Sequence, residues 1–128
     1  MNRTPEQIQN LKNLIRANRE SPYRLKMICY SDCGTAHCVI GNYAQREDLQ
    51  SYLRLDGAQL VYAQTNLNAN YDDEEIQDHF GLYYEEVYKF FSPNHLLGDN
   101  ISGCCRDPQQ AADFIENYLG WKNEEISD

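Results

Sequence analysis

The sequence holds no apolar run that approaches the roughly 20 residues a membrane-spanning helix needs, which excludes an integral helical membrane protein. Nothing apolar follows the opening Met1-Asn2-Arg3-Thr4-Pro5-Glu6, so no signal peptide is expected. Basic side chains are scarce: 11 Lys and Arg face 20 Asp and Glu, a net charge of −9. A surface of that sign repels phosphate backbones and argues against direct binding of nucleic acid. The five cysteines are an odd number, at positions 29, 33, 38, 104 and 105. They do not read as a disulfide framework and suit a reducing, cytoplasmic setting. Glycine- or serine-rich linkers and internal repeats are also missing. The chain therefore reads as a single globular domain over residues 1–122, with a polar, frayed tail over 123–128.

What is present suffices for a core. Apolar residues make up 41% and aromatic residues 12%, including ten tyrosines, which separates the chain from disordered sequences. A domain of this length buries about two thirds of the surface its unfolded chain exposes and needs no staples.

The charge is unevenly spread. Residues 1–31 carry six basic and two acidic side chains, whereas residues 32–128 carry five and eighteen. The first segment is thus at +4 and the body at −13. Such an acidic body serves solubility. It also fits a protein that occupies a basic, nucleic-acid-binding surface or mimics its ligand.

Helix signals are clear at both ends of the chain. Thr4-Pro5-Glu6-Gln7 forms a capping box with proline at the first helical position. Ile8, Leu11, Leu14 and Ile15 then repeat on one face, and the helix should fade near Asn18, before Ser21-Pro22. Asp72-Asp73-Glu74-Glu75 predicts a helix with acids in its first turn; it carries Ile76, His79 and Phe80 and stops at Gly81. A further helix spans Tyr84 to Phe91. The last begins at a second capping box, Asp107-Pro108-Gln109-Gln110, shows Ala111, Phe114, Ile115, Tyr118 and Leu119 as its apolar face, and ends at Gly120. Tyr23 to Tyr30 reads as a short strand in need of a partner. Leu53 to Tyr62 offers one, with Asp56-Gly57 as a hairpin turn; a helix end followed by a loop is the alternative. The fold class that follows is mostly α, a small single-domain helical fold with one short β-hairpin at most (α+β).

Three segments invite a chemical reading. The first is Ser31-Asp32-Cys33-Gly34-Thr35-Ala36-His37-Cys38-Val39-Ile40-Gly41. If Ser31 caps a helix, Cys33 lies in its first turn, where a thiol pKa falls. His37 then follows four residues later on the same helix, and His95 with Asp99 can complete a triad. Cysteine spacings of three and four, with His37, allow a metal site only loosely. The reading that accounts for most residues is a packed corner. In it, Gly34 bends the chain, Thr35 caps the helix, Ala36, Val39, Ile40, Tyr43 and Ala44 form a buried stripe, Cys38 fills space and Gly41 permits close approach. No metal or cofactor is expected. The second segment, Glu74 to Phe91, has the outline of a helix-turn-helix, but Glu85 and Glu86 stand where a DNA reader needs basic or amide side chains. His79 falls beside the apolar stripe and reads as a partly buried structural residue. The third is Tyr83, Tyr84, Glu85, Glu86 and Tyr88, a patch whose tyrosines offer large contact area at low entropic cost.

The motif Cys33-Gly34-Thr35-x-x-Cys38-x-x-Gly41 resembles a loose group of small, uncharacterised bacterial and phage proteins. The resemblance extends to Phe80-Gly81-Leu82, to the aromatic run Val87-Tyr88-Lys89-Phe90-Phe91-Ser92-Pro93 and to the Asp107-Pro108 start of the final helix. It covers about half the chain. Asn42 departs from the His or Trp expected after the signature glycine, and His95 or Leu96 replaces an expected Trp. The resemblance implies a shared helical fold and a bacterial or phage origin, and it brings no catalytic assignment. The function that fits best is a non-enzymatic binding or regulatory protein. It acts through its acidic, tyrosine-rich surface on a protein partner with a basic surface, without direct contact to nucleic acid or membrane. The competing class is a small cysteine hydrolase or transferase using Cys33, with His37 and His95 as candidate partners.

Overall fold

Thr4 opens the first helix as its sequence dictates. Its hydroxyl accepts from the Gln7 N–H at 3.1 Å, and the Gln7 side-chain oxygen accepts from the Thr4 N–H at 2.9 Å, so two otherwise unpaired donors are satisfied reciprocally. In the computed structural model, which describes residues 3–22, 24–25, 36–57, 59–91 and 108–121, helix α1 runs Pro5–Arg19. Strand β1 (Arg24–Leu25) pairs in parallel with β2 (Ala36–His37), and α2 covers Val39–Ala44. A hairpin of β3 (Leu53–Asp56) and β4 (Gln59–Tyr62) follows, then α3 (Glu74–Phe80), α4 (Tyr84–Phe91) and α5 (Pro108–Leu119). The described fold is α+β, dominated by its five α-helices with one antiparallel hairpin, as the sequence predicts.

Two expectations about the strands need correction. The partner of the strand after Pro22 is Ala36–His37, not the 53–62 region, and the two hairpin strands form a separate sheet. The hairpin turn also sits one residue later than the Asp56-Gly57 signal suggests. Asp56 pairs with Gln59, which leaves two positions between the strands, beginning at Gly57. Gly57, with φ of +62°, takes the first of them, where primed turns demand positive φ.

The packed corner also starts later than expected. Helix α2 begins at Val39, and its N-cap is Cys38 rather than Thr35: the buried Cys38 Sγ accepts from the Gly41 N–H at 3.4 Å. Residues 36–37 are strand, so no helix carries Cys33 and His37 together as an i, i+4 pair. All six residues of α2 are buried, including Asn42.

One continuous core joins these elements. Leu11, Leu14 and Ile15 of α1 meet Val39, Ile40 and Tyr43 of α2, Leu53 and Leu60 of the hairpin, Ile76 and Phe80 of α3, Phe90 and Phe91 of α4, and Ala111 and Ile115 of α5. Each fully buried side chain of this size stabilises the fold by about 1.5–3 kcal/mol before entropy is counted. Helix α1 is the hub, packing against α5, α2 and α3. The inward face of α5 is rotated from the predicted stripe: Ala112 and Glu116 are buried, while Tyr118 is exposed. On this edge Arg19 of α1 pairs with Glu116 at 3.1 Å and Asp113 at 2.7 Å, so the acidic edge of α5 lies against α1.

Polar pairing fixes the seams. Asn18 and Asn42 are both fully buried, and the Asn42 Nδ2 donates to the Asn18 Oδ1 at 3.1 Å. The Asn18 amide donates in turn to the carbonyls of Leu14 (2.9 Å) and Val39 (3.1 Å), and the Ser21 hydroxyl donates to the Asn42 Oδ1 at 2.8 Å. At the other end of α1, three side chains satisfy carbonyls that α3 leaves open at its C-terminus. Arg3 donates to Gly81 O at 2.9 Å, Gln7 to Asp78 O at 2.8 Å and Asn10 to His79 O at 2.7 Å. Gly81 caps α3 with φ of +66°.

The same pairings account for the uneven charge. Arg3 reaches Glu86 at 3.4 Å and Arg19 reaches α5, so basic residues of the first segment are consumed against the acidic body.

Candidate functional site

The hairpin and the loop after it build an open groove of about 300 Å³, lined by Tyr52, Tyr62, Gln64, Thr65, Leu67 and Glu75. Its shape follows from backbone pairing. After Tyr62 the chain reverses through Asn66, in the left-handed region at φ of +60°, and runs back along β4. Tyr62 N–H donates to Leu67 O at 2.9 Å, Asn68 bridges to Val61, and Ala69 N–H donates to Leu60 O at 2.8 Å. On the other side, Ala63 N–H donates to Tyr52 O at 2.9 Å. The loop thus behaves as a short third strand, and Leu67 projects from it, 66% exposed. A large apolar side chain held out by a pinned loop suits a contact surface.

The walls are aromatic. The rings of Tyr52 and Tyr62 meet edge to face, with centroids 5.8 Å apart. Behind Tyr52, the His79 ring stacks parallel at 4.0 Å. His79 is itself held by Tyr43, whose Oη lies 2.8 Å from its Nε2, and its Nδ1 faces the Asn10 amide nitrogen at 3.4 Å. Because that amide nitrogen is a donor, the imidazole proton belongs on Nε2. Burial pushes the His79 pKa down to about 4. The sequence reading of His79 as a partly buried structural residue agrees with this position: it backs the Tyr52 wall and is not an exposed base.

The rim is negative. The Tyr62 hydroxyl lies 2.6 Å from the Asp73 Oδ2 and 3.1 Å from the Glu75 Oε2, so one phenolic proton serves two carboxylates. Asp73 also accepts from the Asn70 N–H at 2.9 Å. Among the described residues no cation pairs with Asp73 or Glu75. Partial burial and these two carboxylates hold the Tyr62 hydroxyl well above the usual phenol range. Tyr52 is pushed up to about 12, first by burial and then by the charges of Glu75, Asp78 and Asp73. Those charges therefore reach the groove wall as negative potential.

The patch the sequence singled out on α4 divides differently from its reading as a single acidic face. Tyr83 and Tyr84 are 54% and 56% exposed, and Tyr84 stacks on Tyr88 at 6.5 Å. Glu86, however, turns inward: it accepts from the Tyr83 N–H at 2.9 Å as a cap for α4 and pairs with Arg3. Lys89 extends over the Tyr118 ring at 5.1 Å. With Glu86 neutralised and Lys89 nearby, this face is tyrosine-rich but only weakly acidic.

Among the other residues the sequence nominated, Cys33, Gly34, Thr35 and His95 lie outside the described residues, as do the Asp107 cap and the 123–128 tail. His37 contributes to the described structure through the β2 backbone. Gly41 is buried in α2. Among the described residues no three His, Cys, Asp or Glu side chains gather as a metal site would require, and no helix is long and apolar enough to cross a membrane.

Comparison with family models, with curated proteins and with solved structures yields no match. Function must therefore be argued from the groove and the surface alone. Sequence reasoning missed Tyr52, Tyr62, Leu67 and Glu75. The local signal was two tyrosines bracketing a hairpin, but the acids that complete the site lie eleven and thirteen residues beyond Tyr62, and only the tertiary fold brings them to its hydroxyl.

Proposed function

We propose that this protein is a binding or regulatory module that engages a basic partner protein through its acidic, tyrosine-rich surface, with the groove between the hairpin and α3 as its centre. One observation carries the reading: a single Tyr62 proton is shared by Asp73 and Glu75 at the mouth of an aromatic groove, with no described cation beside them. Carboxylates left this way gain when a cation of a partner approaches. Tyr83, Tyr84 and Tyr88 add apolar contact area on α4, and Glu85 adds an exposed charge there. The acidic body further suits a partner whose own ligand is a polyanion such as nucleic acid, whose place this surface takes. The resemblance to small bacterial and phage proteins is compatible with such a regulator.

Titration calorimetry with a basic polypeptide, at low and at high salt, tests this. The expected result is binding that weakens steeply with salt, because exposed charges are screened over about 10 Å at 0.1 M. Absence of binding at low salt, or binding indifferent to salt, would falsify the proposal.

A further inference from the structure

We propose that the groove between the hairpin and α3 receives an arginine side chain of the basic partner, its guanidinium lying against the Tyr52 and Tyr62 rings and bonded to Glu75 and Asp73. This assignment rests on the binding role proposed above and adds the chemistry of the ligand. Three features of the groove converge on it.

The first is the pair of rings. Tyr52 and Tyr62 form a corner at 75°, and His79 backs Tyr52 at 4.0 Å, so the wall is held in place before any ligand arrives. Electron-rich ring faces attract cations, and a planar guanidinium can stack on them where an ammonium cannot. The second is the carboxylate pair. Asp73 and Glu75 converge on one hydroxyl, at 2.6 and 3.1 Å, and thereby present two acceptors close together. The five N–H groups of a guanidinium can bridge two acceptors so placed; a lysine ammonium meets them only as a point charge. The third is the charge balance. Asp72, Asp73, Glu74 and Glu75 crowd the start of α3, Asp78 follows within it without an intervening basic residue, and Glu75, Asp78 and Asp73 all act on Tyr52. Arg54, the basic residue on the hairpin, is bonded to Asn66 instead. The groove is open and about 300 Å³, enough for one long side chain, and exposed Leu67 on its lining offers apolar surface to a methylene stem.

The test uses the whole protein and blocked oligopeptides of arginine, lysine and citrulline of equal length, the last keeping the shape of arginine without its charge. Binding is measured by calorimetry to the wild type and to two charge-matched variants, Glu75→Gln in the groove and Glu85→Gln on α4. The expected order is arginine over lysine, with no binding of the citrulline peptide. Glu75→Gln should weaken the arginine peptide roughly tenfold, the size of one charge-assisted hydrogen bond, and Glu85→Gln by less than about twofold. Equal loss in the two variants, or equal affinity for arginine and lysine peptides, overturns the groove assignment while leaving a general basic partner in place. No binding of any cationic peptide at low salt overturns both. The peptide comparison uses wild-type protein, so a variant that folds poorly does not shelter the proposal.

Discussion

Replacing His79 should change how stability depends on pH. His79 is largely buried, and its Nδ1 faces a donor that requires the neutral ring. Nδ1 faces the Asn10 amide nitrogen, Nε2 meets Tyr43 Oη, and the ring lies flat on Tyr52. Tyr43 and Tyr52, the titratable groups that touch the ring, are phenols and stay neutral across the acidic range, so neither offers a charge to an imidazolium. Protonation would therefore add a charge in a half-buried aromatic site and set two donors against each other. The folded-state pKa is about 4, against 6.5 for the free side chain, and burial is the cause. Between those values the unfolded chain binds a proton that the folded chain does not, so stability falls as pH drops through this window. At about 1.4 kcal/mol per pH unit, the full loss is about 3 kcal/mol by pH 4. The assay is urea unfolding from pH 7.5 to 4 for the wild type and His79→Phe, which keeps an aromatic ring against Tyr52. At neutral pH the variant should be less stable by about 1–3 kcal/mol, because Tyr43 and Asn10 each lose a partner. Below pH 5 that deficit should shrink or reverse. Carboxylates elsewhere titrate in both proteins and cancel in the difference. A difference that stays constant across the range, within the roughly 0.5 kcal/mol expected of independent sites, refutes the reasoning.

Other outcomes follow from the packing. Gly81→Ala should cost more than Gly57→Ala, although both glycines have positive φ. A Cβ at Gly81 would lie 2.8 Å from Gln7 Oε1, whereas one at Gly57 meets nothing within 4 Å. Thermal unfolding should show about 1–2 kcal/mol of left-handed strain for Gly57→Ala and a visibly larger loss for Gly81→Ala. Asn18→Ala removes the donor to Val39 O and strands the buried Asn42 amide, and should lower stability by about 2–4 kcal/mol in denaturant melts. Arg19→Met removes the ion pair to Glu116, which is only 7% exposed, and the one to Asp113. A loss of about 1–2 kcal/mol is expected in urea unfolding, between the values for surface and buried pairs.

How much of this was readable in the sequence depends on how local each cause is. The capping box at Thr4 and Gln7, the left-handed Gly81 and Gly120 stops and the Tyr84–Phe91 helix each depend on neighbours within a few residues, and each stands where the pattern puts it. The start of α2 did not. Thr35 and Cys38 both offer a capping atom, and what decides between them is the parallel pairing of Ala36–His37 with Arg24–Leu25, a contact between distant residues that holds 36–37 extended. The face of α5 differs from its periodicity for a similar reason, since hydrophobic spacing does not register that Glu116 meets Arg19, 97 residues away. The groove was invisible for the strongest version of the same cause. Nothing about Tyr52, Tyr62 or Glu75 is unusual in its own segment, and their meaning arises where the hairpin, its return loop and the start of α3 meet. On α4 the tyrosines were legible, but the fate of Glu86 was not, because its partner Arg3 precedes it by 83 residues.

The groove's role as the binding centre is decided by where a cationic ligand binds. Hydrogen–deuterium exchange of the protein, with and without the oligoarginine peptide, addresses that directly. Slowed exchange should concentrate at residues 62–68 and at the start of α3, where the groove is built, with α4 unaffected. Protection confined to residues 84–91, with the 62–68 loop exchanging as it does alone, would contradict it.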